Sequence, residues 1–233
     1  MGYVNPSALA ETPSAAAPSP WLIVALIVFG LYVDQQLALW GQPLVSVATW
    51  ALLIYWMARS GTPARLRLMV CVAFATAGEI LLSLVWGLYD YRLGNIPLFV
   101  PPGHALLFAL GLTLATRLPD WIVVAVPALA APLVLWLAVS GSDTLGPLFF
   151  SLLLACMAFS RARKLYAVMF VLALAMEIYG TALGNWRWHA EVPWLGLATL
   201  NPPLTAGALY CVLDLLVVGT TPLLQRRLAG RNS

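Results

Sequence analysis

Glu79 and Glu177 each stand inside an apolar run, "AFATAGEILLSLVW" and "VLALAMEIYGTAL". Each is followed within a dozen residues by an aromatic-x-aromatic step, Tyr89-Asp90-Tyr91 and Trp186-Arg187-Trp188. A carboxyl group in apolar surroundings resists ionisation, and a second one nearby strengthens the effect, so such a pair can hold and hand over a proton. Charged residues inside a membrane segment face the protein interior and mark proton or substrate sites, or tie neighbouring helices together by hydrogen bonds. His104, one turn behind Pro101-Pro102, adds either a proton carrier or a polar residue at a helix start. Trp86, Tyr89, Tyr91, Arg92 and Asn95, and then Asn185, Trp186, Arg187, Trp188, His189, Glu191 and Asn201, lie in the two loops that follow the glutamates. They read as the lining of a site or as an interfacial aromatic belt. Asp214, in "YCVLDLL", is a third intramembrane acid, and either lines the same cavity or ties two helices. Glu79, Glu177, His104 and His189 show no HxxxH or ExxH spacing, and no metal or other cofactor is expected.

The elements that hold these residues follow from composition. Of 233 residues 62% are hydrophobic and 9% charged, with a mean hydropathy of +0.89, which is the signature of an integral membrane protein. A hydrocarbon core of about 30 Å takes roughly 20 helical residues. Eight apolar segments are bounded by charges, Pro, Gly and interfacial aromatics: 21–39, 43–58, 66–87, 102–117, 121–139, 145–159, 165–184 and 202–224. Seven crossings result if one short segment is re-entrant or merges with its neighbour. Backbone groups unpaired in lipid make all of them helices, an all-α polytopic fold. Cys71, Cys156 and Cys211 fall within these segments without CxxC spacing and read as small core residues. Asp34, after the first run, reads as a solvated or capping residue at an interface.

The remaining charge gives an orientation. Arg59, Arg65, Arg67, Arg117, Arg161, Arg163, Lys164, Arg226, Arg227 and Arg231 all fall on one face if there are eight crossings, while Arg92 and Arg187 fall on the other. Basic residues gather on the cytoplasmic side, so both termini are expected there, in a bacterial inner membrane. The net charge of +3 then needs no nucleic acid partner. Residues 1–20 are rich in Pro, Ala and Ser and read as a flexible tail without the basic start of a signal peptide. Gly2 lacks a myristoylation context, because Pro6 stands where Ser or Thr is required.

The two glutamate runs also align with each other. "AFATAGEI" matches "VLALAMEI" without gaps; Gly87 then corresponds to Gly184, Tyr89 to Trp186, Tyr91 to Trp188, and Pro101-Pro102 to Pro202-Pro203. The pattern predicts two four-helix repeats, 21–118 and 119–225, between the first tail and a basic tail at 226–233. An even number of crossings per unit makes them parallel, related by an axis along the membrane normal. At about 1.5 Å per residue Glu79 lies about 20 Å along its helix, past the midplane toward the outer leaflet.

The order of Glu, Gly-x-aromatic-x-aromatic, a loop with Pro and a Pro-led apolar helix, found twice, resembles membrane-embedded carotenoid-biosynthesis proteins. These are the carotenoid hydratases of the bisanhydrobacterioruberin type and the tandem-domain lycopene cyclases. "GNWRWHAEVPWLGLATLN" and "WGLYDYRLGNIPLFVP" carry the likeness, over some 60 residues. The cyclases' Pro-x-Glu-Glu step is replaced by Pro102-Gly103-His104 and Pro203-Leu204-Thr205, a departure that bears against cyclisation. The resemblance implies a bilayer-dissolved isoprenoid substrate whose double bond is protonated, by hydratase (lyase) or isomerase chemistry. Glu79 and Glu177 would then be acid and counter-base, His104 a relay, and Trp86, Tyr89, Tyr91, Trp186 and Trp188 the lining of the carbocation site. Arg92, Asn95, Arg187, Asn201 and Asp214 would contribute to substrate binding. Two other readings stay open on the residues alone: a proton-coupled transporter or lipid carrier, and a non-catalytic membrane scaffold.

Overall fold

The computed structural model describes residues 18–230, so most of the expected first tail, 1–20, and the end of the expected basic tail, 226–233, lie outside the described residues. The described chain is mostly helical, with eight helices. These are α1 (Pro20–Gln36), α2 (Ala38–Arg59), α3 (Thr62–Glu79), α4 (Val100–Arg117), α5 (Ile122–Val139), α6 (Gly146–Phe159), α7 (Arg163–Leu183) and α8 (Gly207–Ala229). Five are long and apolar enough to cross a membrane: α2, α3 with its extension, α5, α7 and α8; α1 and α6 are shorter apolar helices. The protein is a membrane protein, and large side chains such as Val124, Leu129, Leu135 and Trp136 of α5 face outward as a lipid-facing surface requires.

Proline punctuates the helix starts. Pro20, Pro63, Pro101 and Pro147 sit in first turns, where the missing N–H would have no intrahelical partner anyway. The expectation that Pro202-Pro203 opens its helix in the same way is corrected. A turn closed by the Ala206 N–H on the Pro203 carbonyl intervenes, and α8 begins at Gly207.

At the centre, α3, α4, α7 and α8 form a closed ring, with α3 and α7 each packed against both α4 and α8. The hairpins α1–α2 and α5–α6 flank this ring, α2 lying against α4 and α6 against α8. Buried side chains such as Leu106, Phe108, Phe149, Leu153, Tyr166 and Met169 fill the interfaces.

The C-terminal ends of α3 and α7 meet through two short strands, β1 (Tyr89–Tyr91) and β2 (Trp186–Trp188), paired antiparallel. A second small ribbon, β3 (Glu191–Val192) with β4 (Leu197–Ala198), follows. The stretch from Glu79 to Gly87 is one residue longer than that from Glu177 to Gly184. A π-helical turn over Ile80–Val85, closed by the Trp86 N–H on the Leu81 carbonyl at 2.7 Å, takes up that extra residue. Both runs then leave their helices through a left-handed glycine, Gly87 at φ 72° and Gly184 at φ 84°. Each glycine is two residues ahead of its strand.

Asp34 overturns its reading as a solvated interfacial residue, since it is 1% exposed. Its Oδ1 accepts Arg92 Nη2 at 2.9 Å and its Oδ2 accepts Asn185 Nδ2 at 2.7 Å. Arg92 also donates to the Asp34 and Ala38 carbonyls. Because Arg92 follows β1 and Asn185 precedes β2, one buried carboxylate fastens the α1–α2 turn to both strands. Breaking a buried pair from one side leaves an uncompensated charge, which costs about 3–5 kcal/mol. Arg92→Leu is therefore expected to lower the melting temperature in detergent sharply, and the double variant Asp34→Leu/Arg92→Leu to recover much of the loss. Equal melting of Arg92→Leu and the parent would refute the clamp.

Candidate functional site

Alternation along the two strands decides which aromatic rings face inward. In the β1–β2 pair, Tyr89 lies opposite Trp188 and Tyr91 opposite Trp186, while Asp90 and Arg187 share the central position on the exposed face. The four inward rings pack as one layer, with Tyr89 4.8 Å from Trp188 and Tyr91 6.1 Å from Trp186 between centroids. On the outside, His189 Nε2 stands 2.8 Å from Asp90 Oδ2.

Beneath this layer each glutamate is gripped in the same way. Glu79 Oε2 accepts the hydroxyls of Tyr89 at 2.9 Å and Tyr91 at 2.7 Å. Glu177 Oε2 accepts the indole N–H groups of Trp186 at 2.7 Å and Trp188 at 2.9 Å. The other oxygen of each carboxyl meets a ring from the following ring helix. His104 Nε2 of α4 is 3.3 Å from Glu79 Oε1, and the Tyr210 hydroxyl of α8 donates to Glu177 Oε1 at 2.9 Å. Those two rings stack on each other, with centroids 4.6 Å apart and planes 11° off parallel. A closed circuit of hydrogen bonds and two ring contacts results: Glu79, Tyr89, Trp188, Glu177, Tyr210, His104.

The geometry has local causes. Gly180 lies one turn past Glu177 on α7, and a Cβ there would collide with the Trp186 indole, so only glycine lets that ring cross the helix to its acceptor. Asn201 Oδ1 accepts the Trp188 N–H at 2.9 Å and fixes the end of β2.

Both carboxyls are 5% exposed and would be costly to bury without these donors. The indole can only donate, so Glu177 Oε2 is an acceptor in every state of the site. The partner at Oε1 is where the halves differ. The imidazole at Glu79 donates or accepts according to its tautomer, whereas the phenol at Glu177 donates to the carboxyl.

Two cavities reach this circuit, and Glu79, Tyr89, His104, Glu177 and Tyr210 line both. One, of about 70 Å³, is narrow and runs between α4 and α7 beneath Leu26, Ile27 and Leu31 of α1. The other, of about 320 Å³, runs between α3 and α8. Apart from the circuit the wall of the larger cavity is apolar, and that of the smaller adds Thr49 and the two other strand aromatics, Tyr91 and Trp186, to apolar side chains.

The sequence-derived site residues thus divide. Glu79, Glu177, His104, Tyr89, Tyr91, Trp186 and Trp188 come together around the cavities. Arg92 and Asn201 hold the strands as described. Asn95 donates to Gln42 Oε1 at 3.0 Å, and the Trp86 indole donates to the Pro193 carbonyl at 3.1 Å. Arg187 is on the outer face. Asp214 is fully buried one turn past Tyr210, lines neither cavity, and its Oδ2 has no hydrogen-bond partner among the described residues.

Tyr210 escaped the sequence reading. Its signal was available: it precedes Asp214 by four residues on the same helix. Among the described residues no three His, Cys, Asp or Glu side chains converge as a metal ligand set. Comparison with known proteins finds no matching family model, no matching curated protein and no matching solved structure.

An unpartnered buried oxygen costs about 1–3 kcal/mol. Replacing Asp214 by Leu is accordingly expected to leave the detergent melting temperature unchanged or to raise it by a few degrees. A marked loss of stability would mean that the carboxyl has a partner that the geometry does not reveal.

Proposed function

We propose that this protein is an integral membrane enzyme that protonates a carbon-carbon double bond of a bilayer-dissolved isoprenoid. The observation that carries the reading is the pair of donor-held carboxyls at the junction of two apolar cavities. Supporting it, the duplicated motif resembles that of carotenoid hydratases and tandem-domain cyclases. The cavities also suit an apolar chain better than a polar solute. A transporter would use a polar path running on through the bundle, and a scaffold would pack its glutamates without a cavity.

The same proposal takes the chain as two parallel four-helix units, α1–α4 and α5–α8, about an axis along the membrane normal. Three features favour it: the matched grips on Glu79 and Glu177, the self-matching β1–β2 register, and the π-helical turn that absorbs a one-residue difference between the halves. With the basic residues cytoplasmic, both termini lie on that side and the carboxyl circuit sits in the outer half of a bacterial inner membrane.

In this mechanism the Glu79–His104 pair is the acid. The O–H bond of neutral Glu79 breaks as a C–H bond forms with the π electrons of the substrate, leaving a carbocation on the neighbouring carbon. The faces of Tyr89, Tyr91, Trp186 and Trp188 stabilise the cation without capturing it, and the Glu177 carboxylate offsets its charge. The cation is then consumed in one of three ways. Water adds while Glu177 takes its proton; an adjacent carbon loses a proton to Glu177; or a second double bond closes a ring before that loss. His104 then gives its proton to Glu79, and the proton held by Glu177 returns to His104 through water in the site, so that both acids and the imidazole end as they began.

The test is expression in a host that makes isoprenoids, followed by comparative lipid and pigment profiling. The intact protein is expected to convert at least one isoprenoid. Glu79→Gln and Glu177→Gln are expected to lower that conversion by about 10²–10⁴-fold, the usual range for a positioned acid or base. His104→Gln should fall in the same range, and Tyr210→Phe should lose less, because it removes one donor and no proton carrier. Full turnover in both glutamine variants, or no lipid changed by the parent, would sink the proposal.

A further inference from the structure

The two cavities occupy corresponding crevices of the central ring but are covered differently. Over the α4–α7 crevice lies α1, packed against both helices. Its counterpart by position in the chain, α5, packs against α6 and α7 and does not line the α3–α8 crevice. Besides the carboxyl circuit, that crevice is walled among the described residues by α3 and its π-helical extension, from Phe74 to Leu82, and by α8, from Leu209 to Leu216. At about 1.5 Å per residue it is about 12 Å long. Leu81 and Leu216, at its rim, are exposed on the lipid-facing surface.

Gly78 forms part of the α3 wall, one residue before Glu79, and a Cβ built there meets no atom within 4 Å. Its bareness therefore does not serve packing inside the protein. Ala75 and Ala77 beside it keep the same wall low. An apolar trough whose rim is exposed and whose inner wall carries two carboxyls fits one kind of occupant, a single extended hydrocarbon chain with its reactive part against those carboxyls.

We propose that the α3–α8 crevice admits and holds one apolar chain directly from the bilayer, and that Gly78 is the specificity-determining residue that keeps it open. This rests on the reading of the protein as acting on a membrane lipid, but the binding step is separable from the chemistry. The exposed crevice takes the chain, and the roofed α4–α7 cavity lies beyond the circuit.

The test uses the full chain in nanodiscs, with all-trans-retinol as an isoprenoid probe. Binding is read as energy transfer from tryptophan, Trp188 being in the crevice wall. The parent and Gly219→Phe are expected to bind the probe saturably with similar affinity. Gly219 is a fair control because a side chain there also meets no atom within 4 Å and lines neither cavity. Gly78→Phe is expected to weaken binding at least tenfold.

Should Gly78→Phe fail to fold, Gly78→Cys carrying a spin label takes its place, since the three native cysteines are buried. Retinol is then expected to slow the label's motion. Equal binding by Gly78→Phe and the parent, only unsaturable partitioning in the parent, or a label immobilised by a second copy of the chain would each overturn the proposal. If binding follows this pattern while Glu79→Gln and Glu177→Gln convert lipid as the parent does, the crevice stands and the acid chemistry falls.

Discussion

Two carboxyl groups inside a lipid-facing helix bundle set the terms for everything around them. In such surroundings an unsatisfied carboxylate is worth several kcal/mol against folding. The structure answers with donors brought from outside the helix that bears each acid. Tyr89 and Tyr91 reach Glu79, and Trp186 and Trp188 reach Glu177. A helix cannot turn its own residues ten positions on back toward its core. The chain therefore leaves α3 and α7 through a left-handed glycine and returns as a strand, whose alternation aims two rings inward and one polar residue outward. The strands, the π-helical turn, the bare surface at Gly180 and the Asp34–Arg92–Asn185 clamp are all consequences of delivering those donors.

The clamp shows how far the requirement spreads. Asp34 is itself a buried charge, and it is fully used by Arg92 and Asn185 at the two strand margins. One buried ion pair thus holds the frame that satisfies the two buried acids, and α1 is bound to the site although it supplies only apolar side chains to the cavity. Ion pairs of this kind give little net stability against an apolar replacement, so their place here is registry of the loops.

Much of this was legible in the chain. The glutamates stood out because apolar flanks make a charge conspicuous, and the aromatic steps because their period of two differs from that of the helices around them. The helix ends were nearly as clear, being written in Pro, Gly and Arg. What sequence could not show was pairing. Arg92 read as a lining or substrate-binding residue, and only the fold of the α1–α2 turn brings it to Asp34. Tyr210 was hidden because tyrosine in an apolar helix is ordinary, and its meaning comes from the carboxyl across the ring. The different covers of the two crevices, α1 over one and, among the described residues, no third helix over the other, follow from helix placement that hydropathy does not encode. Asp214 had the same sequence signature as the glutamates and proves to be set apart from them, because burial alone does not say which cavity a residue faces.

The near-symmetry of the carboxyl circuit makes its one difference meaningful. If both Oε1 partners were tyrosine, each acid would be held by hydroxyl or indole donors and neither would have a partner that exchanges protons near neutral pH. If both were histidine, either glutamate could donate, and a cation formed between them would face two equivalent bases. In the proposed mechanism the proton is returned at Glu79, which faces the imidazole of His104, while Glu177 faces only two indoles and a phenol. Under the proposed chemistry that single exchange of ring type gives the site a direction: the proton leaves from the first half of the chain, and the charge it creates is drawn toward the second.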